Sequence, residues 1–220
     1  MTVHRSESQR TIVLASNNEG KIAEFSSLLA PLGVRILPQR QFNISAAEEP
    51  YDTFVENALA KARHASAAAG LPAIADDSGL CVEALAGAPG VLSARYACAH
   101  KSQLTDQKLL AQLENCDTDA ANNALLLHHM QGIRQRRAYF VASLVYVRHP
   151  QDPTPLIAQG FWWGEIASAP RGTHGFGYDP VFWIPELHCT AAELDAQRKN
   201  NYSHRGQALR SLLHGLTAMY

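Results

Sequence analysis

The run from Arg137 to Arg148 constrains this chain more than any other stretch. Ala138, Phe140, Ala142, Leu144 and Tyr146 alternate with Tyr139, Val141, Ser143, Val145 and Val147, and both sets are largely apolar. Such alternation marks a strand, and two apolar faces mark a central strand buried on both sides. His149-Pro150-Gln151-Asp152-Pro153 turns the chain, and Leu156 to Ile166 runs back, giving an antiparallel hairpin. In a chain otherwise patterned as strands alternating with helices, the sheet should be mixed and the fold class α/β.

The remaining pattern supplies those elements. Thr11 to Ala15 is a β-favouring run, followed by a polar loop and a helical stretch with Ile22, Phe25, Leu28 and Leu29 on one side. Pro31 and Gly33 end that helix, and Val34 to Leu37 completes a βαβ-like unit. From Thr53 to Ala69 the chain is helical, with Phe54, Val55, Ala58, Leu59 and Ala62 forming the apolar side and Gly70 as the stop signal. Asn57 and Lys61, one turn apart, share a face. Thr105 caps a helix through Leu113. From Glu114 to Arg136 the pattern loosens, and His128-His129 reads as a surface or packing pair. Thr190-Ala191-Ala192-Glu193 is a capping box, and Ser203 caps a last amphipathic helix carrying Leu209, Leu212, Leu213 and Leu216. Residues 1–10 are expected to be a flexible tail, and residues 11–220 a single two-lobed domain.

With a formal net charge of -1, no chain-wide positive field draws nucleic acid or an anionic membrane, so any phosphate binding is local. The four cysteines are scattered without a C-x-x-C pair, which argues for free thiols in a reducing cytoplasm. No apolar run approaches a membrane span.

Chemistry concentrates in a few places. Leu71-Pro-Ala-Ile-Ala75 reads as a buried strand that stops at Asp76-Asp77-Ser78-Gly79 before resuming at Leu80. That break presents an anionic cluster suited to a divalent cation with hard oxygen ligands. Ser16-Asn17-Asn18-Glu19-Gly20-Lys21 joins a strand to a helix, where unpaired backbone N–H groups can hold phosphate oxygens and Lys21 adds charge. It does not satisfy the P-loop pattern, since Ile22 follows Lys21. In Arg171 to Pro180, glycines at 172, 175 and 177 let the backbone approach a ligand, while Phe176 and Tyr178 can stack on a planar base. His204 and Arg205 stand in the first turn of a helix, a placement best tolerated where an acceptor-rich ligand sits.

Taken in order, Ser16-x-Asn18-x-x-Lys21, Glu48-Glu49, Phe54-x-Glu56-Asn57-Ala58-x-x-Lys61-Ala62, Ala75-Asp76-Asp77-Ser78-Gly79-Leu80, Ser93-Ala94-Arg95-Tyr96, Gly175-Phe176-Gly177-Tyr178-Asp179-Pro180 and Ser203-His204-Arg205 resemble the non-canonical purine nucleoside triphosphate pyrophosphatases, the inosine triphosphate pyrophosphatase family. The resemblance runs from Thr11 to the last helix. It implies a homodimeric, Mg²⁺-dependent enzyme with an elongated mixed sheet flanked by helices, two lobes and a central nucleotide cleft. The implied reaction cleaves ITP, dITP or XTP to the monophosphate and pyrophosphate.

Carried over by motif, Ser16, Asn17, Asn18, Glu19, Gly20 and Lys21 would hold the triphosphate with Lys61, and Ser78 would contact substrate. Asp77 would be proton acceptor and metal ligand, with Glu48 or Glu49 and Asp76 helping to hold Mg²⁺. Phe176, Gly177, Tyr178, Asp179, Lys199, His204 and Arg205 would line the base and sugar pocket. Asn17 and His174 stand where relatives often carry glycine. From the residues alone, which of Asp76 and Asp77 acts as base stays open. A pyrophosphatase for pyrimidine or modified triphosphates, or a nucleotide-binding regulator, are the competing readings.

Overall fold

The computed structural model describes residues 10–219. The expected tail, residues 1–9, lies outside that range, while Arg10 is already the first residue of a strand. Seven strands form one sheet in the order β2-β1-β3-β4-β5-β6-β7. They are β1 (Arg10–Leu14), β2 (Val34–Pro38), β3 (Ala73–Val82), β4 (Arg137–Val147), β5 (Leu156–Ile166), β6 (Phe182–Ile184) and β7 (Cys189–Thr190). β1 pairs in parallel with β2 and β3, whereas β5–β6 and β6–β7 are antiparallel. The sheet is therefore mixed, as the pattern requires. The β4–β5 hairpin is antiparallel too, since Arg136 meets Ile166 through a 2.8 Å backbone bond and Ser143 meets Gln159 at 2.9 Å.

The helices are α1 (Glu19–Leu29), α2 (Phe54–Ala69), α3 (Tyr96–His100), α4 (Gln107–Glu114), α5 (Thr118–His129), α6 (Ala196–Tyr202) and α7 (His204–Met219). Their ends follow from side-chain chemistry. Thr53 caps α2 by accepting from Glu56 N–H, and Gly70 closes it at φ 65, a left-handed conformation that glycine adopts without a Cβ penalty. Asp106, not Thr105, caps α4, because the carboxylate accepts from both Lys108 and Leu109 N–H. α5 corrects the reading of 114–136 as loosely patterned. Asp117 caps it through Ala120 N–H, and Ala121, Leu125 and Leu126 are buried, a helical spacing that the consecutive leucines at 125–127 obscure.

The chain divides into two compact units, one made of residues through Asp77, Ser143–Gln159 and from Ala208 onward, the other of Ser78–Ala142 and Gly160–Gln207. In the first, Ala58, Ala62 and Ala65 of α2 pack on Val13, Ala73, Ala75, Val145 and Val147. Small side chains on the helix let its axis come close to the sheet. In the second unit, Leu109, Leu113, Leu125 and Leu126 meet Leu80, Phe140, Trp162 and Phe182. No described helix is long and apolar enough to cross a membrane.

β3 departs from expectation. It runs unbroken from Ala73 to Val82, with every residue buried except the half-buried Ser78, so there is no turn at Asp76-Asp77. The carboxylates are tolerated inside a strand because each meets a lysine.

The turn after β4 is held by Asp152. Its carboxylate is fully buried and accepts from Arg148 N–H (3.0 Å), Arg148 Nε (2.8 Å) and Thr154 N–H (3.0 Å), and Arg148 holds its pKa well below the usual carboxylate range. A depressed folded pKa gives stability that is present above the unfolded value, ~4, and lost as pH falls toward the folded one. Asp152→Asn should cost about 2 kcal/mol at pH 7 and flatten the acid limb of the stability curve, read by urea unfolding between pH 7 and pH 3.

Candidate active site

In the first unit the chemistry is a set of lysine–carboxylate contacts. Successive side chains on a strand point to opposite faces, so Asp76 and Asp77 are parted although adjacent in sequence. Asp77 faces α2 and receives Lys61 Nζ at 2.6 Å. Asp76, whose side chain is wholly buried, meets Lys21 Nζ at 2.8 Å. Lys61 also reaches Glu49 at 2.9 Å, whereas Glu48 is exposed. Of the four carboxylates expected to gather, two thus share one ammonium, one faces Lys21 on the other side of the strand, and one is turned to solvent. Among the described residues, no three His, Cys, Asp or Glu side chains come together in a metal-holding group.

Burial is the largest influence on Asp77 and pushes its carboxyl up. The charges of Glu49 and Asp76 add to that rise, and Lys61 opposes it. Burial works against the Lys61 proton as well, but Asp77 and Glu49 outweigh it and hold the ammonium above its ordinary range. A raised carboxylate beside a permanently charged lysine is the pattern of a tuned proton acceptor.

Asn57 supports this arrangement in a way the helical face alone did not reveal. It is almost wholly buried; its Oδ1 accepts from Tyr51 N–H at 3.1 Å and its Nδ2 donates to Tyr51 C=O at 2.9 Å. The loop carrying Glu49 is thereby tied to α2 one turn before Lys61.

The Ser16–Lys21 loop is shaped by its own side chains. Ser16 Oγ accepts from Asn18 N–H (3.1 Å), and Asn18 Oδ1 caps α1 through Lys21 N–H (3.0 Å). Asn17 Oδ1 accepts from Arg40 N–H (3.1 Å), and Glu19 pairs with the Arg40 guanidinium. Residues 17–20 are exposed.

In the second unit the expected aromatic pair separates. Phe176 is 52% exposed, with Lys199 Nζ 5.0 Å and Arg205 Cζ 5.7 Å from its ring centre. Tyr178 is a core residue whose hydroxyl donates to Ser93 C=O at 2.9 Å, so its ring is not available to stack on a base. Burial pushes that hydroxyl far above its usual pKa. Asp179 is buried, accepts from Phe176 N–H at 2.8 Å and pairs with Lys199. Gly175 has φ 78, and a Cβ there would lie 1.9 Å from Asp179 Oδ2, so only glycine fits. Arg205 Nη2 donates to Ser78 Oγ at 3.2 Å. His204 lies flat on Phe140, with ring centres 4.8 Å apart and an 11° interplanar angle. α5 meets the same loop: Gly177 N–H donates to Asp119 Oδ2 at 2.6 Å and Gly177 C=O accepts from Asn123 Nδ2 at 2.9 Å. Asp119 and Asn123 stand four residues apart, but their signal depended on recognising the helix.

The first unit thus holds a buried carboxylate paired with lysine and an exposed strand–helix loop, the second an exposed aromatic near two cations, and the fold class is α/β. The chain belongs to the Ham1 family, whose sequence profile matches residues 12–215. It is 56% identical to a dITP/XTP pyrophosphatase of Bordetella pertussis, covering 95% of this chain and 92% of that one. With the dITP/XTP pyrophosphatase of Ralstonia nicotianae the identity is 58%, covering 94% and 96%. Among solved structures, the HAM1 protein of Coxiella burnetii superposes with a TM-score of 0.84 at 45% identity, covering 95% and 99%.

Replacing Lys61 isolates the electrostatics. Lys61→Met would leave Asp77 and Glu49 without the shared ammonium, costing ~3 kcal/mol at pH 7. The raised folded pKa of Asp77, no longer opposed by Lys61, would make the variant gain stability as pH falls toward 5, the sign for an acid that binds its proton more tightly when folded. Urea titrations at pH 5, 6 and 7 check both the size and the slope.

Proposed function

We propose that this chain hydrolyses non-canonical purine nucleoside triphosphates, dITP, ITP and XTP, to the monophosphate and pyrophosphate. The observation that carries the reading is the Asp77–Lys61–Glu49 group, with Asp77 pushed toward the pKa of a working base. The relatives named dITP/XTP pyrophosphatase support the same reaction. Water attacks the α-phosphorus, Asp77 takes its proton, and pyrophosphate leaves in line. Lys61 keeps Asp77 ionised until that transfer. Ser16 to Lys21 hold the polyphosphate at the start of α1; Ser16 and Asn18 shape the loop by accepting from Asn18 and Lys21 N–H, and the remaining N–H groups of that first turn meet the phosphate. Phe176 stacks on the base, and Lys199 and Arg205 supply charge and donors beside it; a 6-oxo purine offers them an acceptor that adenine lacks.

The donor set fits Mg²⁺ in kind. Asp77 and Glu49 each place a carboxylate oxygen on one Lys61 ammonium, at 2.6 and 2.9 Å, so the two oxygens are at most 5.5 Å apart. Both are hard donors of the type this cation prefers. Asp77 and Glu49 would hold Mg²⁺, which when bound neutralises phosphate charge and lowers the pKa of coordinated water.

The enzyme acts in the cytoplasm as a homodimer. Phe161 and Trp163 on β5 are exposed on one face with Tyr139 and Arg137 packed against Trp163, an aromatic–arginine patch of the kind found at protein interfaces. Trp163→Glu should convert dimer to monomer in light scattering, and an unchanged mass would remove this face as the contact.

Pyrophosphate release from dITP, XTP, dATP, dGTP and dUTP, with Mg²⁺ and with EDTA, tests the reaction. Metal-dependent release confined to dITP and XTP is expected, and Asp77→Asn should retain the fold while losing 10²-fold or more in kcat, about 3 kcal/mol. Release from dUTP would overturn the base assignment, and no release from any would leave a nucleotide-binding regulator.

A further inference from the structure

Gly177 is the residue on which the position of Phe176 turns. Its φ of 63 is left-handed, and a glycine in a loop with neighbours of the same type at 172 and 175 loses more conformational entropy on ordering than any other residue. Something outside the loop must hold it. α5 does so from both sides: Asp119 accepts the Gly177 N–H at 2.6 Å, and Asn123 donates to the Gly177 C=O at 2.9 Å. The two side chains are one helical turn apart on one face of α5, and Asn123 is 7% exposed.

We propose that Asp119 and Asn123 are positioning residues for nucleotide-base recognition, acting through Gly177 to fix the Phe176 ring near Lys199 and Arg205. The assignment rests on the base-binding role given to Phe176 above. Three backbone groups of Phe176 and Gly177 are committed to side chains from outside the glycine-rich stretch or at its end: Phe176 N–H to Asp179, Gly177 N–H to Asp119, Gly177 C=O to Asn123. The ring itself is half exposed, so packing does not place it. Its pose is inherited from the backbone, and a loop already ordered before the base arrives does not charge that ordering against binding. Both residues belong to the second unit and the Asp77–Lys61–Glu49 group to the first, so their loss should appear in binding of the substrate and not in the chemical step. Asn122, adjacent in sequence, is different. It accepts from Ala97 N–H at 2.8 Å and donates to Ala94 C=O at 3.3 Å, which ties α5 to α3 and not to the loop.

Asp119→Ala and Asn123→Leu should each raise KM for dITP about 10-fold, a loss of ~1.4 kcal/mol, with kcat changed less than threefold. Asp119→Asn keeps an acceptor and should lie closer to the parent enzyme. Amide hydrogen exchange over 175–179 should quicken at least about tenfold in the alanine and leucine variants while the melting temperature stays within a few degrees. Asn122→Ser should lower the melting temperature with KM unchanged. Faster exchange with KM unaltered would overturn the proposal, as would a fall in kcat equal to the rise in KM, or equal KM changes in Asn122→Ser. If the parent enzyme releases no pyrophosphate from dITP, the base-binding reading itself fails, and unaltered exchange in the variants would separately remove the clamp.

Discussion

The Lys61 ammonium is the interaction on which the first unit depends. Asp77 is buried in a strand that has no turn to expose it, and Glu49 approaches the same place from a loop. Two carboxylates brought together away from water repel and resist ionisation. A lysine rising from α2 settles both at once, and its stem packs where alanines at 58, 62 and 65 bring the helix close to the sheet. The apolar contact and the charge contact therefore come from the same helix in the same register. Asn57 adds the third part by fixing the Tyr51 backbone. Shifting α2 by one residue would lose all three.

Much of this was legible in the sequence for physical reasons. A doubly apolar alternation can only be a central strand, and β4 is buried along almost its whole length. Thr53 and Gly70 bracket α2 because a hydroxyl before the first turn and a left-handed glycine after the last solve the same problem of unpaired backbone groups. What failed was the inference from composition to conformation at Asp76-Asp77. Adjacent acidic residues suggest a turn on statistics, but a strand can carry them when a lysine waits on each face, and those lysines lie 55 and 16 residues away. Long-range pairing of that kind has no local signal. The consequence reaches the chemistry: Asp77 shares Lys61 with Glu49, while Asp76 meets Lys21.

The second unit shows the opposite error. Phe176 and Tyr178 looked equivalent because neither had an evident face to occupy, yet Tyr178 buries its ring and spends its hydroxyl on Ser93 C=O. Buried tyrosines need that partner, and Ser93 in turn accepts from Leu80 N–H and donates to Gly90 C=O. The segments at 90–96 and 175–180, which read as separate motifs, are parts of one hydrogen-bonded structure. Likewise α5 was hidden by three consecutive leucines, and with it the two side chains that meet Gly177.

Consecutive residues of β3, Asp77 and Ser78, belong to different compact units, and the work assigned to each differs in physical kind. The lysine–carboxylate group of the first unit sits on helix and strand positions whose side chains cannot drift. In the second, the half-exposed Phe176 ring sits on a loop with glycines that can reach an unusual conformation. A glycine loop alone would be too mobile for that task, and a helix alone could not present Phe176 beside two cations. Attaching the loop to α5 through its own peptide groups reconciles the two, because hydrogen bonds to the backbone restrain the path of the chain while leaving the Phe176 ring open to a ligand.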